Sequence, residues 1–215
     1  FVTNRRARRY VLRLRPNGSA RVTIPRGGTI IEAKRFAERN ASWLEQQLLR
    51  QAFHPPVITP WRIGGQVLFR GELVSLQALS SDSGVQIRFG TETLQLKETP
   101  DDLRPIIERY LWQLARQELP PRVLELAARH QFSLRRVSVR NQRSRWGSCS
   151  RRGTISLNWR LIQAPALVRD YIILHELAHF REMNHSRRFW AEVARLCPDF
   201  ASAEQWLKAH ARLLR

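Results

Sequence analysis

Apolar and polar positions alternate from Arg9 to Leu14 and again from Ala20 to Ile24, with the turn sequence Pro16-Asn17-Gly18 between them. This pattern predicts a β-hairpin. The period then lengthens, and Phe36, Ala37, Trp43, Leu44 and Leu48 fall on one side of a helix expected over Ile31–Gln51 and closed by Pro55-Pro56. Four further runs, Gln66–Phe69, Leu73–Ala78, Val85–Phe89 and Thr93–Lys97, are separated by glycine and serine turns and read as strands. Residues 1–98 are thus expected to form a β-rich module with one helix.

Thr99-Pro100-Asp101-Asp102 marks the expected boundary, because Pro100 restrains the chain and Asp101 or Asp102 can cap a following helix. That helix carries Ile106, Ile107, Tyr110, Leu111 and Leu114, and a second is expected from Pro121 to His130. Residues 134–140 and 153–159 alternate as two strands around a turn containing Trp146-Gly147-Ser148-Cys149. Pro165 then suits the first turn of a helix whose packing surface is Leu167, Val168, Tyr171, Ile172, Leu174, Leu177 and Ala178. Asn184 suits the stop after it, and Ser186 can cap a helix carrying Phe189, Trp190, Val193, Leu196 and Cys197. The fold class expected is α+β, with residues 99–215 a mostly helical domain holding a small antiparallel sheet.

That apolar helix contains His175-Glu176-x-x-His179. Four residues along an α-helix advance about 6 Å and turn about 400°, so both imidazoles leave one face within reach of a single ion. Glu176 would point toward a water on that ion and act as general base, which is the arrangement of a zinc hydrolase. A catalytic zinc takes three protein ligands, and His185 is the natural third, with Glu192 or Glu204 as rivals. One Zn2+ per chain is therefore expected, with peptide-bond hydrolysis through a zinc-activated water. Arg145, Trp146, Ser148 and Asn184 are candidate substrate-binding residues, and Arg145, Ser148 and Asn184 candidate oxyanion donors. A strand beside the site could pair with an extended peptide. Cys149 is expected to be a packed strand residue, while the solitary His54, His130 and His210 read as surface or core residues.

The ten-residue spacing from His175 to His185 matches the metzincin pattern, but Glu182 stands where that pattern has glycine, and Met183 precedes His185 and cannot supply a later Met-turn. Arg145-Trp146-Gly147-Ser148-Cys149-Ser150, the run Gly153 to Arg160, and Asp170 to Trp190 instead closely resemble the YgjP-like metallopeptidases, related to the SprT and WLM groups. The resemblance implies a zincin-like catalytic domain with His175, His179 and His185 as ligands and Glu176 as base. Because SprT and WLM relatives include proteases acting on proteins attached to DNA, it also allows a nucleic-acid connection.

Charge sharpens that question. The 215 residues hold 37 basic and 18 acidic side chains, a net charge of +19, and only Lys34, Lys97 and Lys208 are lysine. Arginine suits bidentate phosphate contact, so nucleic acid is a candidate partner besides a peptide or protein substrate. Arg5, Arg6, Arg8, Arg9, Arg13 and Arg15 crowd one end, and Arg135, Arg136, Arg140, Arg143, Arg145, Arg151 and Arg152 surround the Trp-Gly-Ser-Cys block. No run reaches the roughly 20 apolar residues that cross a membrane, and Phe1 to Arg5 lacks a signal peptide's apolar region, so no membrane partner and a cytoplasmic location are expected. Two cysteines, Cys149 and Cys197, are too few for a disulfide framework. Three functions stay open: a zinc peptidase, a DNA-associated or DNA-activated protease, and a non-catalytic zinc-stabilised interaction domain.

Overall fold

The computed structural model describes residues 1–15, 17–53, 60–81, 84–142 and 144–214. Pro16, His54, the Pro55-Pro56 pair and Arg143 lie outside the described residues. Packing divides the chain into two compact units, Phe1–Thr59 and Pro60–Arg215.

In the first unit, strands β1 (Val2–Thr3), β2 (Val11–Leu14) and β3 (Ala20–Ile24) form a sheet of order β1-β3-β2. The predicted hairpin is β2 against β3, with Leu12 opposite Val22 and Arg13 opposite Arg21. Val22 and Ile24 bury one sheet face with Ala33 of helix α1 (Ile30–Arg39). Thr29 caps α1 reciprocally with Glu32, which fixes where the helix begins. The single helix expected over Ile31–Gln51 is instead two, because Asn40 leaves helical geometry at φ −109° and ψ 17° and its side-chain amide donates to Phe36 O at 2.7 Å. Helix α2 runs Ala41–Phe53.

The second unit opens with the hairpin β4 (Gln66–Phe69) and β5 (Glu72–Ser75), turned at Arg70 and Gly71, both with positive φ. The run expected over Leu73–Ala78 breaks at Leu76, whose N–H donates to Gly65 O and whose carbonyl accepts from Gly64 N–H. An antiparallel sheet of β6 (Gln77–Ser81), β7 (Gly84–Phe89) and β8 (Glu92–Leu96) follows. Asp102 Oδ1 then accepts from Arg104 N–H and Trp61 N–H, both at 2.9 Å, at the start of helix α3 (Arg104–Arg129). Two helices were expected here, but α3 continues through Pro120 and Pro121, since Ile107, Leu111, Ala115, Leu119, Val123 and Leu126 form one uninterrupted buried stripe.

Strands β9 (Arg136–Arg140), β10 (Gly147–Cys149) and β11 (Thr154–Asn158) make a sheet of order β10-β11-β9. It is mixed rather than purely antiparallel: β10 opposes β11, while β9 runs parallel to it. The Trp-Gly-Ser-Cys block is therefore itself part strand. A 3-10 turn (Trp159–Gln163) leads to helices α4 (Ala166–Ala178), α5 (Arg187–Leu196) and α6 (Phe200–His210). One hydrophobic cluster runs from Val67 to Leu214 and joins Val67, Phe69, Ile87 and Phe89 to Ile107 and Leu111 of α3. The strands between residues 66 and 97 thus share the helices' core, and the division falls at residue 59 rather than at the expected 98. Among the described residues, no helix is long and apolar enough to cross a membrane.

Candidate active site

Helix α4 is apolar nearly all round, with Val168, Tyr171, Ile172, Ile173, Leu174, Leu177 and Ala178 buried, so its remaining polar side chains are fixed by the core. His175 sits in its last turn and His179 caps its end, with ring centroids 5.3 Å apart. The helix stops here because Phe180 and Arg181 N–H bond three residues back, to Leu177 and Ala178 carbonyls. Asn184, expected to make this stop in a left-handed conformation, lies six residues beyond Ala178 and has no positive φ. Ser186 does cap α5 as expected, its hydroxyl accepting from Phe189 N–H at 3.3 Å.

That cap brings His185 back over α4. His185 Nε2 lies 3.1 Å from His175 Nε2, and the ligand atoms of His175, His179 and His185 all fall within 4.8 Å of one another. Two imidazole nitrogens on one tetrahedral ion with bonds of about 2.05 Å would be about 3.3 Å apart, so the spacing fits a shared cation. His179 Nδ1 meets Glu182 O at 3.1 Å, which orients its ring and leaves Nε2 for a metal. Burial, then the nearby His179 and His185, push the His175 imidazole down to a pKa of about 4, so it is neutral with a lone pair to donate at neutral pH. Its Nδ1 is buried with no hydrogen-bond partner among the described residues.

Phe189 of α5 packs against all three histidines. Its ring, fully buried, stands 4.9, 4.5 and 4.6 Å from the ring centroids of His175, His179 and His185. The rival third ligands are placed differently: Glu192 pairs with Arg181 and Arg195, each at 2.8 Å, and Glu204 accepts from Tyr171 Oη at 3.0 Å. Neither belongs to the histidine cluster. The solitary histidines are structural, His130 at the end of α3 and His210 stacked on Trp206.

Glu176 is buried beside the cluster, and among the described residues no hydrogen bond holds its carboxylate. Burial raises its pKa to about 7, against the opposing pull of Arg145. Its position depends on Gly147: a Cβ there would lie 2.6 Å from Glu176 Cγ and 2.6 Å from Oε1. Gly147 and its neighbours are in turn gripped by buried Asn158, whose amide nitrogen donates to Gln142 O at 2.7 Å and Arg145 O at 3.1 Å.

A cavity of ≈ 540 Å³ opens over these groups, walled by Arg145 to Cys149 on one side and by Tyr171, Ile172, Met183, Glu204, Leu207 and Lys208 on the other. Of the residues expected to meet substrate, Arg145, Trp146 and Ser148 line it and Asn184 does not. Cys149 is a strand residue, its thiol pushed up to about 11 by burial and by Glu176. Strand β10 is an edge. Ser148 pairs with Ser156, and Trp146 O and Ser150 N–H also bond toward β11, so the main-chain groups of Gly147 and Cys149 point to the open side.

Sequence reasoning missed Gly147, Phe189 and Asn158 as site residues. Phe189 was visible only as an apolar position in the first turn of the helix that Ser186 caps.

No curated protein matches the chain. Among solved structures it is similar to the metallopeptidase zymogen of Pyrococcus abyssi abylysin, at 23% identity over 45% of this chain and 96% of that one, with a TM-score of 0.38. The pattern of the YgjP-like metallopeptidase domain matches residues 8–210, nearly the whole length and both units. The chain belongs to the YgjP-like metallopeptidase family.

Proposed function

We propose that this metallopeptidase is zinc-dependent, with His175, His179 and His185 holding the ion and Glu176 as general base. The observation that carries the proposal is the convergence of three imidazoles, two of them 3.1 Å apart, next to a buried carboxyl of pKa about 7. Zinc, when bound, supplies Lewis acidity that lowers a water pKa from 15.7 to about 7 and polarises a carbonyl.

The chain's own groups do the rest. Glu176, buried beside the three histidines, takes a proton from the attacking water and returns it to the leaving amine nitrogen. Arg145, on the cavity wall, is the cation best placed among the candidates to favour negative charge there. The main-chain groups of Gly147 and Cys149 on the side of β10 away from β11 would pair with an extended peptide, orienting its scissile bond with little demand on side-chain sequence.

The test is metal analysis together with hydrolysis of a diverse peptide mixture by the wild type and Glu176→Gln. Stoichiometric zinc in both with cleavage in the wild type alone is the expected result. Equal cleavage by the two proteins would remove Glu176 from the mechanism, and absence of zinc after reconstitution would remove the metal assignment.

A further inference from the structure

The first unit carries a charge distribution that peptide hydrolysis does not use. Residues 1–31 contain eight arginines and no acidic residue, the first carboxylate being Glu32. Among the described residues none of the eight takes part in an ion pair, and all except the half-buried Arg21 are exposed.

Their placement follows from the sheet register. On β2 and β3, Leu12, Val22 and Ile24 face α1, so Arg13 and Arg21, directly opposite each other, lie on the other face. Like charges paired across strands destabilise a sheet. Arg15, one residue past β2, continues that face by alternation. Among the described residues, the buried Arg21 Nε has no acceptor. At the opposite end of the strands, Arg5, Arg6, Arg8 and Arg9 occupy the connection between β1 and β2, and Arg26 N–H donates to Ala7 O within it. From Arg9 to Arg15 the chain spans about 20 Å at the rise of an extended strand.

We infer that this arginine stripe is a binding surface for a nucleic-acid phosphate backbone. A closely spaced row of anions offsets the Arg13–Arg21 repulsion, and each guanidinium can grip a phosphate through two N–H groups. The stripe face of β2 and β3 holds Arg13, Arg15, Arg21, Ser19 and Thr23 together with the half-buried Val11, and so lacks the exposed apolar wedge that membrane insertion requires. The inference does not depend on the peptidase assignment.

The experiment uses the full chain and a fluorescent 20-nucleotide single-stranded DNA, read by anisotropy between 50 and 200 mM NaCl. Neutralisation of about five phosphates gives a log–log salt slope of about −3.5. The double substitution Arg13→Gln and Arg21→Gln should lower that slope by about 1.4 and weaken binding roughly tenfold. Because it removes a like-charge pair, its melting temperature should equal or exceed that of the wild type, so misfolding cannot imitate the effect. Arg151→Gln with Arg152→Gln, an equal change of net charge on an exposed turn of the second unit, should leave binding near wild type. Equal weakening by the two double variants would overturn the inference, reducing it to net charge. So would competition by polyglutamate as strong, charge for charge, as by DNA, or binding to phosphatidylglycerol vesicles without binding to the oligonucleotide.

Discussion

Gly147→Ala isolates the general base from the metal. The added methyl would stand 2.6 Å from both Cγ and Oε1 of Glu176 and 2.9 Å from Cδ, where ordinary contact begins near 3.4 Å. Something must therefore give by roughly 0.8 Å. The strand is held to β11 through the Gly147–Leu157, Ser148–Ser156 and Cys149–Ile155 pairs, and α4 is fixed by its buried stripe, whereas the Glu176 carboxylate borders an open cavity. The side chain is the part that moves. A misplacement near 1 Å costs about 100-fold in rate, while overpacking relieved into a cavity should cost stability about 1 kcal/mol, the lower end of its usual range. The three atoms nearest the new methyl all belong to Glu176 and none to a histidine, so zinc content should stay stoichiometric. The assay is kcat and KM on a peptide substrate, with zinc content and melting temperature measured on the same samples. A wild-type kcat, or loss of zinc in step with loss of activity, would refute the reasoning.

Glu176→Gln should retain zinc and lose about 100- to 10,000-fold in kcat. In the metal-free chain, the raised Glu176 pKa means stability that is present below 4.5 and lost as pH rises through about 7, at most about 3 kcal/mol. The depressed His175 pKa has the opposite sign, with stability present above 6.5 and lost as pH falls through about 4, again at most about 3 kcal/mol. The two offset between pH 4.5 and 6.5, where the lowered pKa values of His179 and His130 add to the His175 direction, so urea titrations should show the Glu176→Gln variant gaining stability with pH more steeply than the metal-free wild type. Phe189→Ala empties the space behind all three ligands and should cost about 3–5 kcal/mol in stability and weaken zinc in a chelator competition; unchanged zinc affinity would deny Phe189 a positioning role. Asn158→Leu leaves the Gln142 and Arg145 carbonyls without their donor, with an expected cost of about 1–3 kcal/mol and a lower kcat at full zinc occupancy.

The histidine cluster was legible because its information is local: His175 and His179 are one helical turn apart, and Ser186 announces the helix that returns His185. The hairpin of β2 and β3 was legible for the same reason, since alternation and turn residues act over a few positions. What escaped depends on partners distant in sequence. The parallel pairing of β9 with β11, the passage of α3 through Pro120-Pro121 along a continuous core, and the sharing of that core by residues 66–97 are tertiary outcomes that override local signals. Gly147 belongs with them, because its lack of a side chain acquires meaning only once β10 lies against α4.

Packing within the chain fixes the three histidines. His175 and His179 are set by a helix embedded in the main core, and His185 by the Ser186 cap and the buried Phe189. Loading of a metal would consequently be a ligand-exchange event at a cup held by the core, separate from the slow search of folding. His185, the exposed member of the three, is the side from which an ion would enter and leave. Chelated protein should therefore persist as a folded reservoir that zinc returns to activity within the mixing time, so that free zinc in its surroundings governs how much of the population is competent at any moment.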